Sequence, residues 1–178
     1  MKLDRKELFP VLDENGNVTG SATRAECHSG SMILHPVVHL HVFSLDRRSL
    51  YLQRRSMLKD IQPGKWDTAV GGHVDYGETV EVALCREARE ELGIEVEAPT
   101  PLLTYIFHSA IEREQVNSFA IFVNPATTHF TPAPDEVDEG RFWTIDDIEA
   151  GIGTGIFTPN FEQEYRRILP ILPIINKL

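Results

Sequence analysis

Cysteine is nearly absent: Cys27 and Cys85 are the only two in the chain. That disfavours a disulfide framework of the kind that staples small secreted domains, and it makes a reducing cytosol the default compartment. No apolar run approaches the ~20 residues needed to span a bilayer. The opening residues, Met1 to Glu7, are charged rather than apolar, so no signal peptide is expected either. Positive charge is also short, with 17 Lys and Arg against 27 Asp and Glu and a formal net charge of -10. Nucleic-acid backbones and anionic membranes would repel such a chain, which disfavours both as nonspecific partners. A polyphosphate substrate would need cations placed locally. The 178 residues, 42% of them apolar, suit one domain with a sizeable core, and a soluble cytoplasmic protein is expected.

What is present in quantity is carboxylate, and its spacing is informative between Gly72 and Ile94. From Thr79 to Leu92 there is no Pro or Gly, and Val80, Ala83, Leu84, Ala88 and Leu92 recur at helical spacing, so the segment reads as a helix with one apolar face. Gly93 fits its stop. Glu87, Glu90 and Glu91 then stack on one face about a turn apart. Uncompensated, such like-charge neighbours cost a few tenths of a kcal/mol per pair. A hard divalent cation preferring oxygen ligands, Mg²⁺ or Mn²⁺, would turn that repulsion into binding. Glu78, beyond Gly77, can fold back on Arg86 as an ion pair that fixes the loop against the helix. The alternative is a solvated acidic helix.

The segment resembles the Nudix box of the Nudix hydrolases in full: Gly72, five residues, Glu78, seven residues, then Arg86-Glu87-Ala88-Arg89-Glu90-Glu91-Leu92-Gly93-Ile94. Each fixed position would match by chance about one time in ten to twenty. The resemblance implies an α/β Nudix fold, a mixed β-sheet sandwiched between helices (α/β/α), in one domain over 1–178. It also implies metal-dependent hydrolysis of a diphosphate bond in a nucleoside diphosphate linked to another moiety, or of a related pyrophosphate. Glu87, Glu90 and Glu91 would be metal ligands, one of them doubling as general base. Gly72, Glu78, Arg86 and Gly93 would support the box.

Elsewhere, Leu8–Leu12 and Val18–Gly20 flank Asp13-Glu14-Asn15-Gly16-Asn17, a hairpin signal that places an N-terminal hairpin at about 7–20. A short helix is expected near Thr23–Cys27. Strands are expected at Leu34–Phe43, where Val38, Leu40 and Val42 alternate with His39 and His41, and at Leu50–Arg54, Thr68–Val74, Leu102–Ser109, Gln115–Val123 and Arg141–Ile145. Pro125–Pro134 reads as a loop. Two helices, Asp146–Gly151 and Phe161–Ile168, occupy the region of about 146–172, ended by Pro170 and Pro173.

Over roughly residues 7–145 the chain further resembles isopentenyl diphosphate isomerase and its Nudix relatives. The resemblance is carried by the opening hairpin, His28, His35, Gln53-Arg54-Arg55-Ser56, Lys59, Pro63-Gly64, Trp66 and Gly72-His73. Those isomerases bind a divalent metal through three His and two Glu, and His28, His35, His73, Glu112 and Glu114 fall at matching places. Mixed imidazole and carboxylate ligation suits Mn²⁺, Zn²⁺ or similar ions better than Mg²⁺. Each of the five, taken singly, is as readily a core or surface side chain. Two departures oppose isomerase chemistry: Gly71 stands where the isomerases carry a catalytic Cys, and Glu90 where they carry a catalytic Tyr. Glycine supplies neither acid nor base to an isoprenoid carbon skeleton. The alternatives kept open are an isoprenoid diphosphate isomerase-like enzyme and a noncatalytic nucleotide-binding sensor.

Substrate phosphates are expected to meet Arg54, Arg55 and Lys59, with Lys65 nearby, because the matching isomerase segment touches diphosphate and Arg offers paired donors. The competing account is a solvated basic loop. Trp66, Tyr76, Tyr105 and Phe107 are candidates to stack a base, or core. Glu136 and Glu139 are candidates for a late general base, against solvated loop charge. The expected partner is a small-molecule diphosphate substrate, with no nucleic acid and no membrane. A homodimer is left open.

Overall fold

The structure, a computed structural model, describes residues 7–59, 61–134 and 137–172. The N-terminal hairpin pairs β1 (Leu8–Leu12) with β2 (Val18–Thr23) in antiparallel register. Its turn is organised by Asp13, whose Oδ1 accepts from the backbone N–H groups of Asn15 and Asn17 at 2.8 and 2.9 Å. Gly16 supplies the positive φ of 82° that such a turn requires. Thr23 then caps α1 (Arg24–Cys27) in a reciprocal box with Glu26.

A seven-stranded mixed sheet forms around β3 (Leu34–Ser44). It comprises β4 (Ser49–Arg55), β5 (Trp66–Asp67), β6 (Val70–His73), β7 (Thr100–His108), β8 (Arg113–Val123) and β9 (Val137–Thr144). Parallel pairing of β3 with β8 runs from Leu34↔Arg113 to Ser44↔Val123, while β6 lies antiparallel on β3 with Val37 opposite His73. The box helix α2 (Val80–Leu92) covers one face, and α3 (Ile145–Gly151) and α4 (Pro159–Ile168) belong to the other. The α/β/α arrangement is therefore observed.

Side-chain alternation along β3 divides the two cores. Val38, Leu40 and Val42 pack against Ala83, Leu84, Ala88 and Leu92 of α2. Phe43 packs on the other side with Leu50, Leu52, Phe157, Phe161 and Ile168. Each fully buried Leu or Phe contributes about 1.5–3 kcal/mol of transfer free energy. The α2 boundaries have local causes: Thr79 Oγ1 accepts from Val82 N–H, and Gly93 ends the helix in the left-handed region at φ 67°.

Two expectations need correction. β9 begins at Val137, not Arg141, so Glu139 lies in a strand paired opposite Arg54 rather than in a loop. The strand entering the box is limited to Val70–His73, and the two-residue β5 precedes it. His39 and His41, the alternating polar positions of β3, are covered by α4 through Glu164. Glu136 and Pro173 lie outside the described residues.

Candidate active site and metal centre

A cavity of about 1070 Å³ opens beside the box and is lined by Glu87, Glu90 and Glu91 from α2, by Gly71, Gly72 and His73 from β6, and by Gln53 and Arg55 from β4. Helical spacing places the three carboxylates on one side of α2, as i, i+3 and i+4 positions must. Their surroundings differ. Glu87 is nearly buried, while Glu90 has 62% of its side chain exposed. Glu91 Oε2 accepts from Gln53 Nε2 at 3.2 Å.

Arg86 ties the loop to the helix. Its Nε and Nη2 donate to the two oxygens of Glu78 at 2.8 and 2.9 Å, Nη1 donates to Glu87 Oε1 at 2.7 Å, and Nη2 also reaches the His73 carbonyl at 3.0 Å. Glu78 in turn accepts from Asp75 N–H at 3.0 Å. These bonds hold Arg86 protonated and Glu78 ionised. Burial raises the Glu87 carboxyl pKa, which Arg86 only partly offsets. Gly72 is needed beneath it: a Cβ there would lie 2.1 Å from Glu87 Cδ and 2.4 Å from Cγ.

Next to the box, the hairpin and sheet ends bring three imidazoles together. His28 caps α1, His35 is the second residue of β3, and His73 ends β6 opposite Val37. One ligand atom each from His28, His35, His73 and Glu114 lie within 4.8 Å of one another. His28 Nε2 faces His73 Nε2 at 3.0 Å, so either one donates to the other or both share a cation. His35 Nδ1–H donates to the Ile33 carbonyl at 2.9 Å, which leaves its Nε2 lone pair inward, 3.8 Å from Glu114 Oε1. That buried Nε2 has no hydrogen-bond partner among the described residues.

Burial lowers the pKa of His35 and of His73, the latter well below the ordinary imidazole range, which keeps both in the neutral form that ligates metals. Burial, with Glu112 close by, pushes Glu114 up to about 7. Glu112 is held down by its 2.5 Å bond to His28 Nδ1. An orphaned inward nitrogen among imidazoles and a carboxylate fits a divalent cation. The box carboxylates are not gathered to that closeness, since Glu87 is drawn to Arg86 and Glu91 to Gln53.

The basic residues separate by strand parity. Arg55 lines the cavity, as does Lys59. Arg54, on the opposite face of β4, is not among the lining residues and pairs with Glu139 at 3.7 Å. Trp66 is buried in the α3–α4 core, Phe107 packs with Val37 and Val116, and Tyr76 is exposed. Tyr105 donates to Glu164 at 3.1 Å. The sequence reading missed His39 and Glu164. Two histidines at alternate positions of an otherwise apolar strand were the available signal.

The family model described as NUDIX domain matches residues 34–168. An isopentenyl-diphosphate Delta-isomerase of Kocuria rhizophila is 33% identical over 149 residues, covering 82% of both chains. An uncharacterized Nudix hydrolase of Listeria monocytogenes is 29% identical, covering 87% of this chain and 90% of that one. The crystal structure of DR0079 from Deinococcus radiodurans superposes with a TM-score of 0.77 at 26% identity, covering 91% of this chain and 99% of that chain.

Proposed function

The chain belongs to the NUDIX family, in the branch that includes isopentenyl-diphosphate isomerases, and from that premise we propose that it is a metal-dependent hydrolase of a nucleoside diphosphate derivative or related pyrophosphate. The observation that carries the reading is that Glu87, Glu90 and Glu91 all line one cavity, with Gly72 making room for Glu87 and Arg86 fastening the loop above it. Glu87, Glu90 and Glu91 would hold Mg²⁺ or Mn²⁺, and His28, His35, His73 and Glu114, with Glu112 behind His28, would hold a second ion of the Mn²⁺ or Zn²⁺ type. A divalent cation supplies charge neutralisation for the diphosphate and acidifies the attacking water.

The protein's own contribution is positioning. Arg86 fixes the Glu87 carboxylate, Gln53 orients Glu91, and exposed Glu90 is placed to accept a proton from water in the cavity. Arg55 and Lys59 supply positive charge at the cavity wall of an otherwise acidic chain.

An isomerase reading is favoured by the name of the Kocuria relative. Against it stand Gly71 and Glu90, which provide no thiol and no phenol at the places where the isomerase resemblance calls for them. A panel of nucleoside diphosphate derivatives assayed with Mg²⁺ and with Mn²⁺ tests the hydrolase reading, beside Glu90→Gln and Glu91→Gln. Turnover that falls on the order of 10²-fold in the variants supports it. No turnover of any member, or unchanged turnover in both variants, overturns it.

A further inference from the structure

The hydrolase reading leaves unused a polar cluster between β3 and α4. Glu164, 1% exposed, accepts from His39 Nδ1 at 2.5 Å, from His41 Nε2 at 2.9 Å, from Tyr105 OH at 3.1 Å and from Ser118 Oγ. A carboxylate buried so deeply stays ionised only when charge and hydrogen bonds compensate it. Of its donors, His39 is also a cavity-lining residue, with 13% of its side chain exposed.

With Nδ1 engaged, the outer edge of the His39 ring faces Gly71. A Cβ on Gly71 would lie 3.5 Å from His39 Cδ2 and 3.7 Å from Nε2, so any side chain there would cover that edge. Glycine leaves it bare, and the ring makes its bond to Glu164 through Nδ1, so Nε2 lies on the edge turned away from that carboxylate. Three arginines that line the same cavity are already engaged: Arg86 by Glu78 and Glu87, Arg55 by Asp67 and the Ile61 carbonyl, and Arg24 by Glu7.

We propose that His39, held by Glu164 and uncovered by Gly71, donates its Nε2–H to a phosphoryl oxygen of the diphosphate substrate. The inference rests on the hydrolase reading of the cavity and adds to it a cationic contact from the sheet side. Burial opposes the imidazolium, but the Glu164 carboxylate outweighs it and lifts His39 to about 9, so the ring carries its proton at neutral pH. Glu164 acts as a positioning residue, fixing the ring's orientation and charge. The contact also constrains the substrate. A hydrocarbon laid on Nε2–H would leave a buried donor unpaired, and a carbocation would be repelled. A polar, anionic group belongs there.

The test is calorimetric titration of the full chain with methylenediphosphonate in the presence of Mg²⁺, comparing wild type, His39→Gln, Glu164→Gln and Tyr105→Phe. The expected result is affinity weakened about tenfold in His39→Gln and in Glu164→Gln, in line with loss of one charge-assisted hydrogen bond. Tyr105→Phe, which removes a donor from Glu164 without touching His39, reports destabilisation alone and keeps its affinity within about twofold. In parallel, the ¹⁵N signals of the wild-type His39 ring should report an imidazolium whose Nε2 shifts on titration, a readout that survives if a variant fails to fold. Wild-type affinity in folded His39→Gln, no binding by wild type, or an unshifted Nε2 would overturn the proposal. Binding that depends on His39 without hydrolysis of any diphosphate would leave it standing and sink the hydrolase reading instead.

Discussion

Gly72→Ala isolates the role of the Glu87 carboxylate. The backbone at Gly72 is not in the left-handed region, so alanine imposes no conformational strain of its own. The added Cβ would instead sit 2.1 Å from Glu87 Cδ and 2.4 Å from Cγ and Oε1, where ordinary contact begins at 3.4 Å. Relief therefore needs the carboxylate to move by more than about 1 Å, against the Arg86 bond that holds it. Because the obstacle is the end of a flexible side chain, the fold should survive at a cost of about 1–3 kcal/mol. A displacement of about 1 Å at a reacting centre, in contrast, costs on the order of 10²-fold in rate, near 2.7 kcal/mol of activation free energy. The expected outcome is a folded protein by calorimetry whose kcat/KM on the best panel substrate drops about 100-fold. Wild-type kcat/KM in folded Gly72→Ala would refute the reasoning that Glu87 must stand where it does.

Further outcomes follow from the same geometry. His39 is raised above its ordinary 6.5 to about 9, so its stabilising contribution is whole below pH 6.5 and is lost as pH climbs through about 9. Scanning calorimetry should show Tm falling across that window in wild type and less in His39→Gln, and equal slopes would contradict the Glu164 pairing. Thr79→Ala removes the cap on Val82 N–H and should cost about 1 kcal/mol, a Tm loss of about 2–4 °C. Leu84→Ala, at a fully buried position of the box helix, should cost about 2–5 kcal/mol by urea unfolding. His35→Ala should weaken Mn²⁺ binding in metal-free protein about 10-fold or more, since its inward Nε2 has no hydrogen-bond partner among the described residues.

The box helix was legible because its signals are local: Thr79, the apolar positions, Gly93 and the carboxylate spacing all fall within one stretch of chain. The hairpin was legible for the same reason, through Asp13 and Gly16. Long-range pairing was not. Nothing local tells β3 that its parallel partner is β8, or that a helix closing the opposite face carries Glu164 to His39 across 125 residues. The alternation of His39 and His41 with Val38, Leu40 and Val42 fitted a one-sided sheet as well as a sheet covered on both faces. Strand parity could have separated Arg54 from Arg55, because Gln53 and Arg55 share a face; without the cavity there was no way to say which face mattered. Glu139 was read as loop charge because its pairing with Arg54 depends on β9 lying against β4.

The central claim is that this cavity hydrolyses a diphosphate and does not move a double bond. Incubation of the Mg²⁺- and Mn²⁺-supplemented protein in ¹⁸O-water, with nucleoside diphosphate derivatives and isopentenyl diphosphate side by side, tests it in one mass-spectrometric measurement. The account predicts ¹⁸O in a phosphate product from a nucleotide substrate and isopentenyl diphosphate left unrearranged. Dimethylallyl diphosphate formed without any labelled phosphate product would contradict it.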